Sequence, residues 1–208
     1  MSLSLFLAPA AEPLTLQDAR RQCLIADSVT DQDPYLEDLI PVVRERAEQA
    51  TDRALLPQTW DWVLDGFPVE DYLEIPKPPL RTVTWVKYQD MAGAWQTWDP
   101  ANYLVEAPAG PRGLRGRLSL PFAGTWPVVL PQAGCVSIRF EAGYADAAHV
   151  PALLKQAMRL DLGTFYLNRE SVLTNAREQA IELPHGSREI YATFRAPATQ
   201  RLRQGGAW

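Results

Sequence analysis

One stretch, "PALLKQAMRLDLGTFYLN" at residues 151–168, restricts what this chain can fold into more than any other. Read at helical spacing, Leu154, Met158, Leu162 and Phe165 share one face, while Leu153, Ala157, Leu160 and Leu167 line an adjoining one. Pro151 suits the first position of a helix, where its missing N–H costs nothing. A helix apolar on two faces needs two partners. Leu154, Met158, Leu162 and Phe165 are therefore the candidate packing residues, within the protomer core or against another subunit. Gly163 would weaken an isolated helix by roughly 1 kcal/mol relative to Ala, but in a bundle it lets a neighbour come close.

Partners are available near the N-terminus. Thr15 reads as an N-cap with Asp18 completing a capping box and Leu14 placed as a hydrophobic staple, which predicts a short helix from about Leu16 to Leu24. After the polar loop "ADSVTDQD", Asp33 is expected to cap a second helix with Pro34 in its first position. Leu36, Leu39, Ile40, Val43, Ala47, Ala50 and Ala54 give that helix one apolar face, opposite Arg44, Arg46, Glu48 and Gln49. Pro41 removes one hydrogen bond and crowds the carbonyl of Glu37, so a kink is expected there.

From Pro57 the period changes to two. Trp60, Trp62 and Leu64 fall on one face, and Val83 and Trp85 stand against Val86 and Tyr88. Turn residues such as Asp65-Gly66, "IPKPPL" and Asp99-Pro100 separate the runs. Shorter strands are expected at Trp95–Trp98, Tyr103–Glu106, Arg117–Leu120 and Cys135–Glu141. The fold class is thus α+β: a mainly helical bundle around the central helix, with an antiparallel β unit inserted in sequence and an extended C-terminal tail. The expected division is 1–56 with 146–195 as the helical core, 57–145 as the β unit, and 196–208 as a flexible tail. A short helix is expected from about Ser187.

Composition narrows the function. Of 208 residues 47% are hydrophobic, enough for a substantial core. The net charge is −5 with no long block of basic residues, which argues against a protein whose main task is gripping nucleic acid. Cys23 and Cys135 lack a C-x-x-C partner or neighbouring His, and read as small buried apolar residues. The opening "MSLSLFLAPA" imitates a signal peptide but has no basic residue before a run that is too short, so it is read as an extended arm of a soluble, cytoplasmically made protein.

Catalytic signatures are missing from the sequence: there is no G-x-S-x-G, no phosphate-binding Gly loop and no H-E-x-x-H. His149 and His185 read as solvent-exposed loop residues. No catalytic, cofactor-binding or metal-binding residue is expected. The seven Trp residues admit an alternative, a carbohydrate-binding β module whose exposed rings stack on sugars. Against it, Trp60, Trp62 and Trp85 suit the core of a small sheet, whereas Trp95, Trp98 and Trp126 flank turns and are expected to be partly exposed.

The ordered series of segments resembles the head-to-tail connector, or head-completion adaptor, family of long-tailed bacteriophages and gene transfer agents. The stretches that carry it are "LTLQDARRQC", "YLEDLIPVVRERAEQATDRALLPQTWDWVLDGFP", "LEIPKPPLRTVTWVKYQD", "VSIRFEAGYADAAHVPALLKQAMRLDLGTFYLNRE" and "ELPHGSREIYATFR", which together cover most of residues 14–195. Pro41 departs from the family's smooth second helix, and residues 196–208 run past the recognisable part. The resemblance implies a structural, non-enzymatic role in the virion neck, with assembly in the cytoplasm of a bacterial host. It further implies a homo-oligomeric ring of about a dozen copies beneath the portal protein, a platform for a stopper or tail-terminator protein, and a channel that DNA crosses without specific binding or any membrane contact. In the tail, Arg201, Leu202, Arg203 and Trp208 are the candidate portal-binding residues, because aromatic and Arg anchors on a flexible segment suit insertion between partner subunits.

Overall fold

Local signals near the N-terminus behave as elementary helix chemistry dictates. In the computed structural model, which describes residues 1–110, 112–168 and 186–196, helix α1 (Leu16–Gln22) opens on a capping box: Thr15 Oγ1 accepts from the Asp18 N–H and the Asp18 carboxylate accepts from the Thr15 N–H. Helix α2 (Asp33–Thr51) runs unbroken through Pro41. Its N-cap is Gln32, with Asp33 already inside the first turn. The Asp33 carboxylate does not cap, because the guanidinium of Arg20 takes both its oxygens and ties α1 to α2.

Among the described residues the remaining elements are eight strands, two more α-helices and a short 3-10 turn at Pro100–Asn102. Strands β1 (Ser2–Leu7), β2 (Gln58–Leu64), β3 (Tyr72–Ile75), β4 (Leu80–Gln89), β5 (Trp95–Thr97), β6 (Leu104–Glu106), β7 (Gly116–Ser119) and β8 (Val136–Ala142) precede α3 (Ala152–Leu167) and α4 (Ser187–Phe194). Helices and strands hold comparable numbers of the described residues, so the mainly helical reading does not stand and the class is α+β with two antiparallel sheets. The five-stranded sheet has the order β1-β2-β8-β4-β5, and the three-stranded one β3-β7-β6. Residues 2–7, expected as an extended arm, form an edge strand of the larger sheet, hydrogen-bonded along β2.

β8 is the centre of that sheet. Val136, Ile138, Phe140 and Ala142 alternate into the core and are fully buried, with Phe140 opposite both Trp60 and Val83. On β4 the strict alternation fails. Register shifts between Leu80 and Thr82 and between Val83 and Trp85 insert extra residues, so Leu80, Val83, Val86 and Tyr88 pack on the core and Trp85 is turned to the other face. A bulge flips every later side chain; pairing Val83 with Trp85 from the sequence overlooks it.

Helix α3 touches α1, α2 and α4. Leu154, Met158 and Leu162 are fully buried in the helical cluster with Leu36, Val43 and Ala47. Gly163 lies against the side chain of Gln22 at the end of α1. A second cluster fills the space between the sheets, built on Leu73, Ile75, Leu118 and Ile138.

Polar groups at the end of α2 join the two clusters. Asp52 closes the helix in the left-handed conformation and binds Lys77 Nζ (2.9 Å) and Arg115 Nη2 (2.6 Å) from the β part. Arg53, buried, donates from Nε to the Phe194 carbonyl (2.5 Å) and from Nη1 to the Gly113 carbonyl (2.8 Å). Glu48 accepts from the Leu55 N–H, from Gln58 Nε2 and from Arg44. Arg44, expected on the solvent face, is buried among Glu12, Glu45 and Glu48. Gly143 holds φ at +124°, and any Cβ there would run into the Leu56 carbonyl, so the turn out of β8 passes directly over the start of β2.

Candidate functional site

The packing residues occupy two environments. Leu154, Met158 and Leu162 have no exposed surface, so they hold the protomer's own core. Phe165 is half-buried; Arg46 lies over its ring at 5.6 Å and the Tyr35 hydroxyl donates to its carbonyl. Arg201, Leu202, Arg203 and Trp208 lie outside the described residues, as does His185. Ala196, assigned to the tail by sequence, belongs to the folded body: it is buried and its N–H donates to the Thr51 carbonyl at 2.8 Å.

A carboxylate that the sequence reading passed over organises the bundle. Asp161, on α3, is buried; its Oδ1 accepts from Ser187 Oγ (2.5 Å), and its Oδ2 accepts from Tyr191 Oη (2.9 Å) and Arg46 Nε (3.0 Å). Three helices thus meet at one side chain. Burial, reinforced by the Asp161 charge, pushes the Tyr191 hydroxyl well above the usual tyrosine range, so the phenol stays protonated as a donor. A lone Asp between Leu160 and Leu162 gave the only hint: a charged group interrupting an apolar face has to be paired.

Elsewhere the chemistry is that of fixed surfaces. His149 is exposed, with Nδ1 2.8 Å from Asp146 Oδ1, and that contact holds the Asp146 carboxyl below its ordinary range. Asp146 also accepts from the Ala148 and His149 N–H groups, so the pair shapes the turn before α3. Among the described residues no group of three or more His, Cys, Asp or Glu could hold a metal, and no helix is long and apolar enough to cross a membrane.

The aromatic residues divide between core and rim. Trp98 is buried, and Trp126 stacks on Phe67 (centroids 4.9 Å apart, planes at 10°) while its Nε1 donates to the Glu70 carbonyl. The expectation that Trp98 would be partly exposed fails because Phe67, Tyr103 and Trp126 close around it. Pinned by Trp126, the loop at 120–130 leaves Phe122 fully and Val128 largely in solvent. On the outer face of the large sheet, Arg139 makes a two-pronged ion pair with Asp61 (2.7 Å each) and lies over both Phe6 (3.5 Å) and Trp85 (5.2 Å). Leu5, Phe6 and Leu7 are exposed along the β1 edge. Exposed apolar side chains at a strand edge and at a braced loop tip suit contact with other protein chains.

These features define an α+β module with internal polar clamps and apolar rims. The chain shares that fold, over its whole length, with chains of gene-transfer-agent particles. One lies in the neck of an empty particle computed with C6 symmetry, at TM-score 0.76 and 22% identity, covering 99% of both chains. A second is from the virion of a native gene transfer agent (0.75, 21%, 99% of both), and a third from the neck of a native particle computed with C12 symmetry (0.70, 22%, 99% of both). No protein-family model and no curated protein sequence matches.

Proposed function

We propose that this chain is a structural subunit of a head-to-tail neck, assembled as a ring of about a dozen copies beneath a portal protein. The observation that carries the reading is the full-length fold likeness to chains of gene-transfer-agent necks, in particles computed with C6 and C12 symmetry. The ring extends the DNA channel and offers a docking platform for a stopper or tail-terminator protein. Twelve copies at −5 each carry about −60, a field that keeps DNA from adhering to the channel wall. No chemistry at a substrate is part of the role; the residues that matter hold shape and make contacts. The β part and the helical part are joined by Asp52, Arg53 and Glu48.

Portal docking is assigned to the segment beyond Ala196, through Arg201, Leu202, Arg203 and Trp208. Repetition around a ring adds avidity, so a weak single contact suffices. Removal of 197–208 is the test, since Ala196 itself is needed by Thr51. The truncated chain is expected to melt like the full one but to be lost from portal rings in pull-downs. Full occupancy of portals by the truncated chain would move the docking surface to the folded body.

A further inference from the structure

A basic groove on the helical face has no role in the account so far. Arg46 and Gln49 of α2, with Arg188 and Tyr191 of α4 and Arg195 just past its end, line a groove of about 470 Å³. Arg188 stands in the first turn of α4 and Arg195 is the non-helical residue that closes it, and both side chains are exposed. Arg46 meets them from α2: its guanidinium is held through Nε by Asp161 and lies over the Phe165 ring, and its side chain remains 54% exposed. Among the described residues neither Arg188 nor Arg195 forms an ion pair. Those two guanidinium groups, beside a third whose Nε is held by Asp161 and whose side chain stays half exposed, make a receptor for carboxylates in a chain of net charge −5.

The same chain carries matching acids. At the other end of α2, Asp31, Glu37 and Asp38 are exposed, and the Asp27 side chain is 83% exposed. Asp38 and Arg46 are separated along α2 by about 12 Å, so the two patches occupy different parts of the surface. A ring needs such a pair of unlike, complementary surfaces, because a head-to-tail contact joins one patch to the other on the next copy.

We propose that the α2/α4 groove is a subunit contact that takes the acid-bearing α1–α2 end of a second copy of this chain. The inference rests on the ring reading above. It is tested with the full chain bearing R188K and R195K, which keep the charge and supply amines, as an equimolar mixture of nitrogen-14 and nitrogen-15 protein. Zero-length carbodiimide cross-linking of its assembled rings is expected to give mixed-isotope peptides joining positions 188 or 195 to the segment 27–38. In parallel, R188E/R195E is expected to lower ring recovery about tenfold, and mixing it with E37K/D38K to restore it. Rings that yield only same-isotope links, or that form undiminished with R188E/R195E, overturn the contact and leave the ring reading standing. Loss of duplex-DNA retention by R188E/R195E with intact rings would make the groove a phosphate site instead, also against the proposal. If the wild-type chain forms no ring alone or on a portal, the ring reading fails and this contact fails with it.

Discussion

Replacing Asp161 by Ala should release α4 before it affects anything else. The carboxylate accepts three hydrogen bonds, and their losses are unequal. Arg46 is 54% exposed, so water replaces most of its bond and its share is under about 1 kcal/mol. Tyr191 is 3% exposed, and a phenol stranded there costs roughly 1–3 kcal/mol. Removing a buried charge recovers part of this, since the carboxylate no longer has to be desolvated. The net expectation is about 2–3 kcal/mol. Asp161→Asn keeps an oxygen acceptor in place, and should cost only about 1 kcal/mol. The damage concentrates on α4 because an eight-residue helix has little stability of its own. Urea unfolding followed by circular dichroism measures the size, and amide exchange along residues 187–194 measures the place. If the Ala variant unfolds within about 0.5 kcal/mol of wild type, with α4 amides as protected as before, the clamp is not what holds α4.

Four further outcomes follow from the same structure. Leu154→Asp or Met158→Asp places an unpaired carboxylate in a fully buried site and should abolish soluble folded protein; a folded variant seen by circular dichroism would place that face in solvent. Gly143→Ala should cost more than about 2 kcal/mol, from a left-handed φ together with a clash on the Leu56 carbonyl, read as a drop in urea midpoint. The raised Tyr191 pKa means that the folded chain keeps a proton which the unfolded chain gives up above its ordinary value of 10.0; stability should be intact below that pH and fall as pH rises past it, and Tyr191→Phe should make this alkaline slope shallower, the buried Tyr103 and Tyr144 keeping the rest. For Asp52, burial opposes ionisation but the bonds from Lys77 and Arg115 win and lower its pKa, so the gap between wild type and Asp52→Asn should persist above the ordinary value of 3.8 and close as pH falls below it.

Where local chemistry and packing agree, the elements were readable in the sequence. The Thr15–Asp18 box, the helix after Pro151, the short helix from Ser187 and the strands near 95, 104, 117 and 136 all follow from spacing and turn residues. Long-range geometry escaped it. The extended arm at residues 2–7 carries no local sign of its pairing, because the partner, β2, lies more than fifty residues away. The bulges on β4 carry no Gly or Pro, so the change of face was hidden. β3 was masked by the prolines that follow it. Arg44 and Asp161 were misread or missed because periodicity treats every charge as solvated, whereas both are buried with partners, Arg44 with Glu12 ahead of α1 and with Glu45 and Glu48 of its own helix, Asp161 with groups of α2 and α4. The Arg46–Arg188–Arg195 groove joins residues over 140 positions apart, and only the packing of α4 on α2 brings them together.

Electron microscopy of the full-length chain, alone and mixed with its cognate portal, is the most direct test of the central claim. The account predicts closed rings with about twelve-fold symmetry, stacked on the portal coaxially with its channel. Particles that stay monomeric in both samples, with portals left bare, would contradict it.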